Sequence, residues 1–184
     1  MNVANKLTIL RVLLVPIFMA FLYIDFECNR LINNTSVALF VFIIASLTDL
    51  ADGIIARRQG KVTDFGKFMD PLADKILTFA ALLWFIEVGL MPVWIVLVVI
   101  IREFMVTGIR LVASVKGKVV AASFFGKVKT AVTLGCIVCI FLIYLFILTA
   151  QWLLIVCWTL IAVTTVVSGV EYYVKNKEIM KLEC

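Results

Sequence analysis

A chain of 184 residues with 64% hydrophobic and only 16% charged side chains, at a mean hydropathy of +1.15, is too apolar for an ordinary water-soluble domain, where about a quarter of residues are charged. It contains no histidine, which removes the commonest general base and the commonest zinc ligand. The net charge of +5 suits contact with anionic lipid headgroups, and nothing points to nucleic acid.

A helix needs about 20 predominantly apolar residues to cross a bilayer, and six candidate spans follow in chain order: 8–24, 36–56, 68–89, 92–113, 126–148 and 151–173. The runs are continuous rather than alternating, which excludes a transmembrane barrel. The first follows Lys6 and Arg11 but reads as a retained span, because Tyr23, Ile24, Asp25 and Phe26 offer no small-residue cleavage site. Asn5, Thr8 and Arg11 recur on one helical face and lead into Pro16. They predict a short N-terminal interfacial helix, which either closes over a ligand or anchors the chain to headgroups. The second and third spans flank a polar turn, Gly89 and Pro92 punctuate the next connection, and "TAQW" separates the last two spans. The five cysteines suggest no disulfide framework. "CIVC" at 136–139 lies inside a span without acidic neighbours and reads as apolar filler.

Basic residues set the expected orientation. With the N-terminus inside, Arg57, Arg58, Lys61, Lys67, Arg110, Lys116, Lys118, Lys127, Lys129, Lys175, Lys177 and Lys181 all join Lys6 and Arg11 on the inner side. The outer connections hold only Arg30, beside Asp25, Glu27 and Glu87. The fold class expected is an all-α integral membrane protein, one domain over 1–184, with six transmembrane helices and both termini cytoplasmic.

Five of the twelve acidic residues fall in "DLADGIIARRQGKVTDFGKFMDPLAD" at 49–74. Asp49 and Asp52 are three apart, Asp70 and Asp74 four apart, so each pair shares a helix face. Counted inward from the polar turn, the pairs are level, the deeper members about 12 Å in. Antiparallel neighbouring helices would gather four carboxylates, which repel unless something neutralises them. Oxygen ligands without His or Cys suit a hard cation, Mg²⁺ or Mn²⁺. The competing account is separate salt bridges to Arg57, Arg58, Lys67 and Lys75. Gly53 and Ala56 remove bulk beside the aspartates, either for a flat ligand or for close helix packing. Arg57 offers a planar fork to phosphate oxygens. Together these features suggest a nucleotide diphosphate handled at the cytoplasmic membrane surface.

The fixed positions Asp49, Asp52, Gly53, Ala56, Arg57, Gly66, Asp70 and Asp74, with their spacing, resemble the full signature of the CDP-alcohol phosphotransferases. The resemblance implies six transmembrane helices, a homodimer, one or two divalent metal ions, and transfer of a substituted phosphoryl group from a CDP-linked donor to an alcohol with release of CMP. It implies that Asp49, Asp52 and Asp70 bind metal. Asp74 would be the general base for the acceptor hydroxyl and a ligand of any second metal. Asp52, Gly53, Ala56, Arg57 and Gly66 would contact CDP.

"NKLTILRVLLVP" at 5–16 and "IREFMVTGIRLVASVKGKVVAASFFGKVKT" at 101–130 look like the bacterial subgroup that makes phosphatidylglycerol phosphate from CDP-diacylglycerol and glycerol 3-phosphate. Thr107, Arg110, Lys127, Lys129 and Thr130 supply the cations and hydroxyls that an anionic acceptor needs, although inner-side lysines are also ordinary in membrane proteins. Arg102 and Glu103 read as a structural ion pair. Rival readings keep the chemistry but use serine, an inositol phosphate or a lipid alcohol, or make the aspartates the path of a divalent-cation transporter. A transporter needs polar groups continuing across the membrane, and neither "SVALFVFIIASLT" before Asp49 nor "KILTFAALLWFIEVGL" after Asp74 provides them.

Overall fold

Each long apolar run forms one α-helix, since a chain surrounded by apolar groups must satisfy its backbone hydrogen bonds internally. The computed structural model describes the backbone of residues 3–24, 34–59, 64–115, 123–146 and 150–180, and the side chains of 13–24, 34–48, 75–113, 123–146 and 150–177. Over these residues the helices are α1 (Val3–Tyr23), α2 (Asn34–Gln59), α3 (Asp64–Glu87), α4 (Val93–Val115), α5 (Phe124–Leu145) and α6 (Gln151–Met180). Asn5, Thr8 and Arg11 predict a separate interfacial helix before the first span. Instead, α1 is uninterrupted from Val3 through Pro16. Proline removes one backbone donor and bends a helix, but in apolar surroundings a full break would strand more groups than it frees.

Among the described residues, α5 and α6 are long and apolar enough to cross a membrane. Side-chain burial along α6 is inverted relative to a water-soluble helix. Thr165, Ser168, Tyr172 and Asn176 are buried, whereas Val163, Val166, Val170 and Val174 are exposed. Such a continuous outward apolar face suits lipid rather than water.

The chain falls into two compact units, residues 1–81 with 141–148, and residues 82–140 with 149–184. In the first, α1 packs along α2 around three aromatic rings. Phe18, Phe42 and Phe141 are fully buried, with centroids 6.0 to 6.2 Å apart in tilted and edge-on arrangements. Ala38, Phe42 and Ala45 form the buried stripe of α2, whose small members let α1 approach closely. Replacing Phe42 with Ala is expected to cost about 2 kcal/mol. Lipid is as apolar as the core, so the loss is mainly ring contacts and the cavity left behind. The thermal midpoint in detergent measures it, and an unchanged midpoint would exclude the three-ring cluster as a stabilising element.

In the second unit, α3 ends on Gly89, whose φ of 72° lies in the left-handed region that glycine enters without steric cost. The backbone N–H groups of Leu90 and Met91 both donate to Phe85 O, at 2.8 and 3.1 Å, closing the helix end. Trp158 of α6 donates its indole N–H to Leu90 O at 2.9 Å. Further along, α4 packs on α6, with Val106, Ile109 and Tyr172 buried together and Met105 against them. Cys136 and Cys157 are free and buried, and Cys139 is free and half-buried, in keeping with apolar filler.

Candidate active site

Helix α2 carries Asp49, Asp52, Gly53, Ala56 and Arg57, and α3 carries Gly66, Asp70 and Asp74. Both helices are continuous through these positions, so the spacing arithmetic holds on real helices. Measured from the end of α2 at Gln59 and the start of α3 at Asp64, Asp49 and Asp74 each lie about 15 Å along their axes. Asp52 and Asp70 lie about 10 Å along. Asp49 and Asp52 share one face of α2, and Asp70 and Asp74 share one face of α3. The side chains of 49–74, on which the expected metal and CDP contacts fall, lie outside the described residues. That donor set, carboxylates with no nitrogen or sulfur ligand, fits a hard divalent cation. Among the described side chains no group of three potential metal ligands forms.

The residues expected to bind the acceptor sit on α4 and α5. Glu103, Thr107 and Arg110 follow one another on a single face of α4. Glu103 Oε1 accepts from Lys129 Nζ of α5 at 2.7 Å and from Arg102 Nη1 at 2.9 Å. Arg102, Glu103 and Lys129 are all buried. The expected Arg102–Glu103 pair is therefore present, with Lys129 as a third member that sequence alone did not reveal. The triad carries a net positive charge. Arg102 Nε is buried without a hydrogen-bond partner among the described residues.

Two glycines make room for this arginine. A Cβ on Gly169 would lie 3.3 Å from Arg102 Cγ, and one on Gly126 would lie 3.6 Å from Arg102 Nη2 and 3.2 Å from Ser123 Oγ.

The two threonines use their hydroxyl protons within their own helices. Thr107 donates to Glu103 O at 2.8 Å and Thr130 to Gly126 O at 3.1 Å. Arg110 is exposed; its Nε donates to Tyr172 Oη of α6 at 3.2 Å, and its guanidinium carbon lies 5.6 Å from the ring centroid. Lys127 is exposed on α5. Of the predicted acceptor contacts, Arg110 and Lys127 thus present exposed cations, while Lys129 is held in the buried triad. Tyr172 was not legible as a partner, because nothing local connects positions 110 and 172.

The family model described as CDP-alcohol phosphatidyltransferase matches residues 1–170. The chain is 42% identical to the CDP-diacylglycerol–glycerol-3-phosphate 3-phosphatidyltransferase of Bacillus subtilis, over 98% of this chain and 97% of that one. Proteins of the same description from Rickettsia felis and Wigglesworthia glossinidia brevipalpis are 36% and 34% identical. These matches cover 70% and 72% of this chain, and 68% and 72% of the relatives. With the signature residues carried on two continuous helices, and the family match spanning residues 1–170, the chain belongs to the CDP-alcohol phosphatidyltransferase family.

Proposed function

We propose that this chain transfers the phosphatidyl group of CDP-diacylglycerol to glycerol 3-phosphate, giving phosphatidylglycerol phosphate and CMP. The observation that carries this reading is the near full-length similarity to a B. subtilis protein of that description, joined to an intact signature on α2 and α3. The whole chain acts as one functional domain, with six spans, both termini and the active site on the cytoplasmic side of the cell membrane, and two copies forming a homodimer.

In the reaction, Asp74 takes the proton of the sn-1 hydroxyl of glycerol 3-phosphate. The acceptor oxygen forms a bond to the phosphorus that bears diacylglycerol, and the bond from that phosphorus to the bridging oxygen breaks, leaving its electron pair on CMP. A carboxylate base suits a chain without histidine, since neighbouring carboxylates raise its proton affinity into a useful range. Asp52, Gly53, Ala56, Arg57 and Gly66 hold the CDP moiety, with Arg57 forking onto its phosphates. One or two Mg²⁺ or Mn²⁺ ions, held by Asp49, Asp52, Asp70 and Asp74, would polarise the diphosphate and stabilise charge on the departing CMP. Arg110, with Thr107, Lys127, Lys129 and Thr130 around it in the sequence, recognises the phosphate of the acceptor.

The test follows CMP release by purified protein supplied with CDP-diacylglycerol and Mg²⁺, offering glycerol 3-phosphate, serine, inositol phosphate and phosphatidylglycerol separately. Release with glycerol 3-phosphate alone supports the reading, and release only with another alcohol replaces the acceptor. Absence of release with all of them, in protein that still binds divalent metal, would favour an ion pathway instead. Arg110→Ala is expected to raise the KM for glycerol 3-phosphate by roughly a hundredfold, as for a lost charge-assisted contact, with the KM for CDP-diacylglycerol nearly constant. A defect confined to the donor would remove Arg110 from the acceptor site.

A further inference from the structure

We propose that Tyr172 is a positioning residue for acceptor recognition, fixing the Arg110 guanidinium so that its terminal nitrogens meet the acceptor's phosphate. The inference rests on the reading of Arg110 as an acceptor contact and extends it to α6. Tyr172 also lies beyond residue 170, where the family match ends.

Arg110 is exposed on α4, and a long flexible side chain in that setting loses rotamer freedom when it captures an anion. Tyr172 removes much of that freedom beforehand. Its hydroxyl takes the Nε proton of Arg110 at 3.2 Å, leaving both terminal nitrogens of the fork to donate elsewhere. Its ring lies beneath the cation, with 5.6 Å from guanidinium carbon to centroid, which restrains the plane of the group. The tyrosine is itself immobile. It is only 2% exposed and packs with Val106 and Ile109, which precede Arg110 on α4, and with Met105. One turn further on, buried Asn176 donates Nδ2–H to Tyr172 O at 2.8 Å. A rigid aromatic therefore carries a hydroxyl that packing does not need, and that hydroxyl meets an exposed cation.

The ring and the hydroxyl can be separated experimentally. Tyr172→Phe keeps the packing and removes only the oxygen. In the full-length enzyme assayed in detergent with CDP-diacylglycerol and Mg²⁺, Tyr172→Phe should raise the KM for glycerol 3-phosphate about tenfold. The kcat, the donor KM and the thermal midpoint should stay close to the parent. In an Arg110→Ala background the same change should add nothing, since its route is already lost. Three results would overturn the proposal. An unchanged acceptor KM in Tyr172→Phe, with a raised one in Arg110→Ala, would refute the positioning role and leave the acceptor reading intact. An equal rise with and without Arg110 would show that the hydroxyl acts elsewhere. An unchanged acceptor KM in Arg110→Ala would remove the acceptor reading and this inference together.

Discussion

Replacing Asp74 with Asn is expected to lower turnover by roughly a thousandfold while CDP-diacylglycerol still binds. An alcohol holds its proton tightly at neutral pH, and a positioned base contributes about 10² to 10⁴ in rate. A carboxamide matches the carboxylate in size but cannot take that proton. Asp74 is one turn past Asp70 on α3, whereas Arg57 and Gly53 lie on α2, so the substitution changes the signature on one helix only. Asp70→Asn provides the contrast. In the proposed mechanism Asp70 binds metal, so its loss would weaken metal affinity and be partly restored by more Mg²⁺, whereas loss of the proposed base would not. The measurements are single-turnover CMP formation across a Mg²⁺ series and donor binding by thermal shift. If Asp74→Asn keeps more than about a tenth of parental turnover, or recovers with Mg²⁺, another group removes the proton.

Glu103→Gln is expected to destabilise the protein by about 3 to 5 kcal/mol, the usual cost of removing one partner from a buried ion pair. Its carboxylate is the shared acceptor for Arg102 and Lys129, at 2.9 and 2.7 Å, and the amide would remove the negative charge that both buried cations are paired with. Lys129→Met is expected to be mild, about 1 kcal/mol, because Arg102 and Glu103 remain paired and neutral overall. This asymmetry distinguishes a shared anionic hub from two independent hydrogen bonds, which would give similar losses on either side. Thermal midpoints of the two variants in the same detergent decide the matter. Equal shifts, or a tolerated Glu103→Gln, would rule out the hub. The acceptor KM of Lys129→Met, read alongside its midpoint, separates a structural lysine from one that also touches substrate.

That Asp49 and Asp52 fall on one helix, and Asp70 and Asp74 on the next, was legible in the sequence because helical spacing is local. Helical periodicity alone determines which face of its own helix each of Asp49, Asp52, Asp70 and Asp74 occupies on α2 and α3. The six helices were legible for a related reason. Unbroken apolar runs leave the backbone no partner but itself.

Helix ends were less legible, since composition marks where apolar residues stop rather than where hydrogen bonding stops. The last span was expected to close at 173, yet α6 continues to Met180 through polar residues, with Lys175 bonded to Glu171 one turn back. At the other end of the chain, α1 takes in Asn5, Thr8 and Arg11 instead of leaving them in a separate helix.

Tertiary structure alone decided what the basic residues do. In the sequence Lys127 and Lys129 are equivalent members of an inner-side cluster. In the fold Lys127 is exposed, while Lys129 is buried against Glu103, 26 residues away. Arg110 likewise acquires its partner across 62 residues. A charge's role depends on what desolvates and neutralises it, and both are properties of which helices pack together. Local spacing fixes the aspartate pattern on α2 and α3, whereas the packing of α4 on α6 determines that Tyr172 lies against Arg110.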